Sequence, residues 1–121
     1  MFLQLGHTKM EVYSASRKLI SACYKLTQTF PPEERFALSQ QIRRAAISNH
    51  LNIAEGSSRK SDAERRRFYE IARSSVIEID AALGAANDLG YCKIEHMQTL
   101  GESLVTCFKL ARGLINAENK K

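Results

Sequence analysis

The stretch SDAERRRFYEIARSSVIEIDAALGAANDLG, Ser61 to Gly90, decides the fold. It opens on Ser61-Asp62-Ala63-Glu64, a capping box in which serine and glutamate side chains each satisfy an orphan backbone donor of a first helical turn. Phe68, Ala72, Ser75, Ile79, Ala82 and Ala86 then recur at helical spacing, and the pattern ends at Leu89, before Gly90. A helix of this length, over ~30 Å at 1.5 Å per residue, needs apolar partners of similar length.

The flanking segments supply them. Val12, Leu19, Cys23 and Leu26, with Ser16 completing the stripe, predict a first helix ending near Gln28, because Phe30 precedes Pro31 and is pushed away from helical dihedrals. Pro32 is expected to open a second helix, with Glu33 and Glu34 in its positive first turn, that runs to Glu55 and stops at Gly56-Ser57-Ser58. Met97, Leu100, Leu104, Phe108, Ala111 and Ile115 mark a fourth, from Ile94 to Asn116. No segment alternates with a two-residue period. Similar lengths and short turns predict an all-α protein, an antiparallel up-and-down four-helix bundle with crossing angles near ~20°, forming a single domain over residues 1–121.

Composition agrees with one domain: 121 residues, 44% hydrophobic, with the only two prolines adjacent at Pro31 and Pro32, so little of the chain reads as linker. Cys23, Cys92 and Cys107 form no CxxC pair and have no histidine at ligand spacing, which argues against a zinc site or a disulfide framework and fits a reducing cytoplasm. Residues Met1 to Thr8 lack the charged and long apolar regions of a leader, and no apolar run approaches the ~20 residues of a membrane span. The expectation is a cytoplasmic protein with no membrane partner.

Helix two departs from a plain amphipathic pattern. Leu38, Ile42, Ala45, Ala46, Asn49 and Ile53 share one broad face, while Ile47, Leu51 and Ala54 fall on the opposite side. Two isolated aliphatics on a surface are ordinary, but a second apolar face also points to self-association. Between the faces runs a polar stripe, Arg44, Ser48, Asn52 and Glu55, on consecutive turns. Ser75 and Glu78 lie in or beside the apolar arc of helix three, so Glu78 is expected to be drawn inward towards an arginine or asparagine. These six residues read as a structural polar network or interface.

A catalytic alternative would make Glu55 and Glu78 an acid/base pair. The stripe contains no histidine, and the chain has no metal-binding triplet, Gly-rich phosphate loop, nucleophile elbow or Glu-x-x-His pair, so no enzymatic activity, cofactor or metal is expected. His7, His50 and His96 read as solvated surface residues.

The chain carries a net charge of +5. Between residues 43 and 73 eight basic residues stand against four acidic ones, a local net of +4, and seven of the eight are arginines, whose planar fork suits phosphate oxygens. Arg43, Arg59, Lys60, Arg65, Arg66 and Arg73 are the candidate nucleic-acid ligands, and reversing Arg66 and Arg73 is expected to weaken binding without unfolding. The competing reading is a solvated face interleaved with Asp62, Glu64 and Glu70, and oligomerisation would favour the first by repeating the patch.

The run Gln41-Ile42-Arg43-Arg44-Ala45-Ala46-Ile47-Ser48, followed by Asn52-Ile53-Ala54-Glu55-Gly56 and then Arg59 and Ser61, resembles the signature of the four-helix-bundle proteins named for 23S rRNA intervening sequences. Met10-Glu11-Val12-Tyr13, Phe30-Pro31, the segment from Ala72 to Glu78, and Leu89-Gly90-Tyr91 extend the resemblance over nearly the whole chain. It implies a bacterial homopentamer that binds nucleic acid, and places Arg44, Ser48, Asn52, Glu55, Ser75 and Glu78 at the family's recurrent polar positions with no catalytic role. The similar accessory proteins of diversity-generating retroelements imply an alternative, a protein-interaction adaptor that serves a reverse transcriptase. Asn49-His50-Leu51 and Ser74 depart from the family pattern, which often has a small or proline-containing stretch and a glycine there. The expected partners are therefore copies of itself, RNA, and a protein partner.

Overall fold

The computed structural model describes residues 2–120, so Met1 and Lys121 of the expected 1–121 domain lie outside the described residues. Four helices make up the fold: α1 (Glu11–Thr27), α2 (Leu38–Ser57), α3 (Asp62–Asp88) and α4 (Gln98–Asn119). No strand occurs among the described residues. The chain is all-α, as its periodicity predicts. Among the described residues no helix is long and apolar enough to cross a membrane.

Each helix packs on the next, and α4 returns onto α1. Cross-links fix the directions. Ser16 meets His50 and Thr27 meets Arg43, so α1 and α2 run antiparallel. Asn49 meets Ala72 and Gln41 meets Glu78, which does the same for α2 and α3. Arg65 and Arg66, at the start of α3, reach Glu118 and Asn119 at the end of α4.

The main core gathers Leu19 and Cys23 of α1, Ile42 and Ala46 of α2, Val76, Ile79 and Leu83 of α3, and Leu104 and Cys107 of α4. A smaller cluster, Val12, Ile53 and Ala72, fills the end nearest the α2–α3 turn. The buried arc of α3 is rotated slightly from the expected one: Tyr69, Val76 and Leu83 are buried, whereas Phe68 and Ala82 are half-buried at its edge. Burial pushes the Cys23 thiol up to about 12, with Cys107 adding to it, and the Cys107 thiol up to about 11.

Helix ends follow the local chemistry. Ser61 Oγ accepts the Glu64 N–H at 3.0 Å, so the serine half of the capping box forms as read. At the far end of α3, Gly90 has φ +79°. Tyr91 N–H donates to Ala86 O at 2.9 Å and Gly90 N–H to Asn87 O at 3.1 Å, a Schellman closure that needs the left-handed conformation glycine adopts freely.

Four boundaries differ from expectation, one of them the end of α4, which lies at Asn119 instead of Asn116. Pro32 opens only a short 3-10 turn, Pro32–Glu34, and α2 begins at Leu38. Glu34 is the reason: its carboxylate accepts the Leu38 N–H at 3.1 Å and the Tyr91 hydroxyl at 2.8 Å, which stabilises a break instead of a continuous helix. The fourth helix begins at Gln98, not Ile94, because Ile94–His96 form a 3-10 turn whose first N–H is held by Asn87 Oδ1 at 3.3 Å. α2 runs two residues past the expected Glu55 and ends at Ser57, within the Gly56-Ser57-Ser58 stop, with Gly56 buried inside the helix. A β-carbon there would lie 2.8 Å from Tyr69 Cε1 and 3.0 Å from Phe68 Cβ, so its lack of a side chain lets α2 and α3 approach.

Candidate nucleic-acid interface

The α2–α3 turn and the end of α4 share one end of the bundle, which holds five of the six candidate cations, while Arg43 lies near the start of α2 towards the other end; the structure sorts the six into two groups. Arg43 and Arg65 are committed to the fold. Arg43 Nε donates to Thr27 Oγ1 at 2.7 Å, and its guanidinium lies over the Tyr24 ring, 4.6 Å from the centroid, so it closes the α1–α2 seam. Arg65 is more deeply engaged. Nη1 donates to the carbonyls of Arg59 and Lys60 at 2.9 and 2.8 Å, Nε to Glu118 Oε1 at 3.1 Å, and Nη2 to Asp62. The Glu118 hydrogen bond raises the Arg65 pKa further, and no proton is lost at any accessible pH.

The others face outward. Arg59 pairs with Glu55 at 3.3 Å and lies over the Phe68 ring, 4.8 Å from its centroid. Lys60 is exposed in the turn, Arg66 donates to Asn119 Oδ1 at 3.2 Å, and Arg73 is half-buried one turn and more further along α3. No ion pair involves Lys60, Arg66 or Arg73 among the described residues.

The register also adds residues that sequence reading missed. Arg67, passed over as one of a run, is exposed. Arg112 lies seven residues before Asn119 and Arg73 seven after Arg66, so the Arg66–Asn119 contact sets Arg112 and Arg73 at one height on either side of the α3–α4 seam. Only the antiparallel pairing of distant segments brings them together, which a scan of neighbouring residues does not reveal.

The expected polar network divides. Asn52 Nδ2 donates to Ser48 O at 2.8 Å and Ser48 Oγ at 3.1 Å, and the Ser75 hydroxyl lies 3.0 Å from Ser48 Oγ, so these three form a string across the α2–α3 seam. Glu55 belongs instead to the exposed pair with Arg59. Arg44 is exposed on the outer side of α2. Glu78 is not drawn inward: it is exposed, and its partner is Gln41. Its position at the rim of the seam leaves the carboxylate in water, where it needs no buried counter-charge.

Two buried polar residues carry more structural weight than the stripe. Asn49 is fully buried and its Nδ2 donates to Ala72 O of α3 at 2.9 Å. Ser16 Oγ, also fully buried, lies 2.9 Å from Tyr13 O and 2.6 Å from His50 Nδ1. With the serine proton on the carbonyl, the imidazole is the donor. His50 is thus not a solvated surface residue: it stacks at 4.5 Å on Tyr13, which His7 meets at 5.0 Å, while His96 is exposed. Burial lowers the His50 pKa, and Arg17 and His7 lower it further.

Three comparisons bear on identity. A crystal structure at 1.70 Å, of a protein with unknown function from the S23 ribosomal protein family of Bacteroides thetaiotaomicron VPI-5482, superposes with a TM-score of 0.78 at 23% identity, covering 87% of this chain and 95% of that one. At that identity the likeness speaks for the fold. The search of curated proteins returned no match. The sequence model of one family matches residues 8–113, from the turn before α1 into the last third of α4, and the chain belongs to that family, the 23S rRNA-intervening sequence proteins.

Proposed function

We propose that this protein is a non-enzymatic, basic homo-oligomeric module, pentameric as the family resemblance implies, that binds RNA or an RNA-containing complex. The observation that carries the reading is the set of outward cations at one end of the bundle: Lys60, Arg66 and Arg67, with Arg73 beside them, none ion-paired among the described residues. Arg65 holds the backbone of the turn that presents Arg59 and Lys60, so part of this surface is preorganised. In a ring the same end would recur around the axis and form a broad cationic surface that attracts a polyanion from a distance.

The test is the affinity of the purified protein for a structured rRNA fragment across a salt series, with particle mass measured in the same buffers by light scattering. Tight binding by a multimer, weakening steeply as salt rises, is the expected result. A well-formed oligomer that binds nothing at low salt overturns the RNA reading.

A second reading rests on the exposed aliphatics Leu51, Ile77 and Val105. They suit an adaptor that docks on a protein, such as an accessory subunit of a reverse transcriptase, and salt-insensitive capture of that protein with no RNA affinity would favour it.

A further inference from the structure

Two exposed apolar surfaces lie on different flanks of the bundle. On α2, Arg43 and His50 turn towards α1 while Gln41 and Ser48 turn towards α3. The side left facing outward is a ridge: Arg44, half-buried Ile47, Leu51 at 58% exposure, and Glu55. Its order along the helix is cation, apolar pair, acid.

The other surface is concave. Between α3 and α4 runs a groove of about 420 Å³ whose floor is Val76 and Leu104 and whose open walls are Ile77, Val105 and Phe108. Ile77 and Val105 are 53% and 52% exposed. Asp80 stands at one end of this groove and two cations, Lys109 and Arg112, towards the other, the Arg112 guanidinium 5.7 Å from the Phe108 ring centroid. The order is acid, apolar, cation, the complement of the ridge.

Heights along the bundle agree as well. The contacts of Gln41 with Glu78, Ser48 with Ser75, and Arg66 with Asn119 set α2, α3 and α4 on one axial scale. On that scale Arg44 falls about 5 Å from Asp80 and Glu55 about 10 Å from Arg112, displaced in the same direction, at 1.5 Å per residue. A rotation about an axis along the bundle leaves every height unchanged, so in a closed ring both charge pairs come together only when each bundle is tilted against the ring axis. The ridge lies at the α2 corner and the groove on the α3–α4 side. Those two directions are not opposed, so repeating the contact curves round, as a ring requires.

Resting on the homo-oligomer reading above, we propose that the α3–α4 groove is the receptor for the α2 ridge of a second copy of this chain, with Leu51 entering beside Ile77, Val105 and Phe108, Arg44 meeting Asp80, and Glu55, which also pairs with Arg59 of its own chain, meeting Arg112. The contact is heterologous: each copy offers its ridge to one neighbour and its groove to the other.

The experiment is charge reversal and rescue, read as particle mass by light scattering with helicity followed by circular dichroism. R44D and D80R each reduce the wild-type multimer to monomer at micromolar concentration, and the double variant R44D/D80R restores the multimer. Both sites are exposed, so each single variant keeps its helicity. If either loses it, the pair L51C with V105C decides: oxidation gives a covalent ladder climbing beyond the dimer, which neither single cysteine variant gives. A wild-type multimer whose mass ignores R44D and D80R, or a ladder that stops at the dimer, overturns this interface while leaving the homo-oligomer reading standing. A wild-type monomer at every concentration overturns both. Loss of RNA affinity in R112E with unchanged mass in R44D assigns the groove to RNA and overturns the proposal as well.

Discussion

Arg65 Nε lies 3.1 Å from Glu118 Oε1, joining the first turn of α3 to the last turn of α4 while the same guanidinium holds the carbonyls of Arg59 and Lys60. One side chain thus ties the α2–α3 turn to the end of the final helix. Truncation to alanine would leave two carbonyls and a nearly buried carboxylate without this donor. R65A therefore lowers the thermal midpoint more than R66A does, and R65K recovers little, since an ammonium cannot reproduce the planar fork. Melting curves of the three variants check this.

Gly56→Ala destabilises the protein by about 1–3 kcal/mol, the cost of overpacking a closed contact, because the new methyl group meets Tyr69 and the β-carbon of Phe68. Urea denaturation reads the change. An unshifted midpoint would mean that α2 and α3 separate at no cost.

His50 gives the stability a defined pH dependence. Its folded pKa lies below the ordinary value of 6.5 because of burial, then Arg17 and His7. Below pH 6.5 the unfolded chain therefore takes up a proton that the folded chain refuses. Stability is unaffected above that pH, falls as pH drops through 6.5 towards the lowered folded value, and levels off below it. His50→Gln shows a shallower decline over this window than the wild type, measured by urea midpoints at pH 7.5 and 5.5.

For RNA binding, reversal of Lys60 and Arg67 to glutamate lowers affinity across all RNA sequences and reduces the salt slope by about one for each phosphate contact removed. R43E, by contrast, acts through the fold, because Arg43 is occupied by Thr27 and Tyr24. Filter binding beside circular dichroism separates the two classes.

Glu78→Gln changes stability by no more than about 0.5 kcal/mol, as expected for an exposed side chain. A loss of several kcal/mol would return Glu78 to a buried network.

Much of the fold was legible because its signals are local. Ser61 caps α3, Gly90 closes it, and the apolar residues of all four helices recur at a period that leaves few alternatives. The start of α2 was not legible, since Glu34 spends its carboxylate on Tyr91, more than fifty residues away, as well as on Leu38. Gly56 shows the same limit: before Ser57 and Ser58 it reads as a stop, and only the approach of Tyr69 reveals a packing residue. For the candidate site, residue type identified a cationic region but not which cations are engaged. Arg43 and Arg65 differ from Arg66 and Arg73 only in what the antiparallel register sets beside them. Arg112 entered the neighbourhood of Arg73 by the same route.

Glu34 and Arg65 occupy opposite ends of the bundle, and each bridges a connection to an element remote in sequence. Glu34 joins the α1–α2 connection to Tyr91 after α3, where the Tyr91 ring also lies 5.6 Å from Phe30, and Arg65 joins the α2–α3 turn to α4. Helices normally fray from their ends, and amide protons there exchange with solvent first. Here both ends are clasped across the bundle. Opening either one requires release of two elements at once, so amide exchange at the inner turns is expected to follow global unfolding, the behaviour of four helices that open as one cooperative unit.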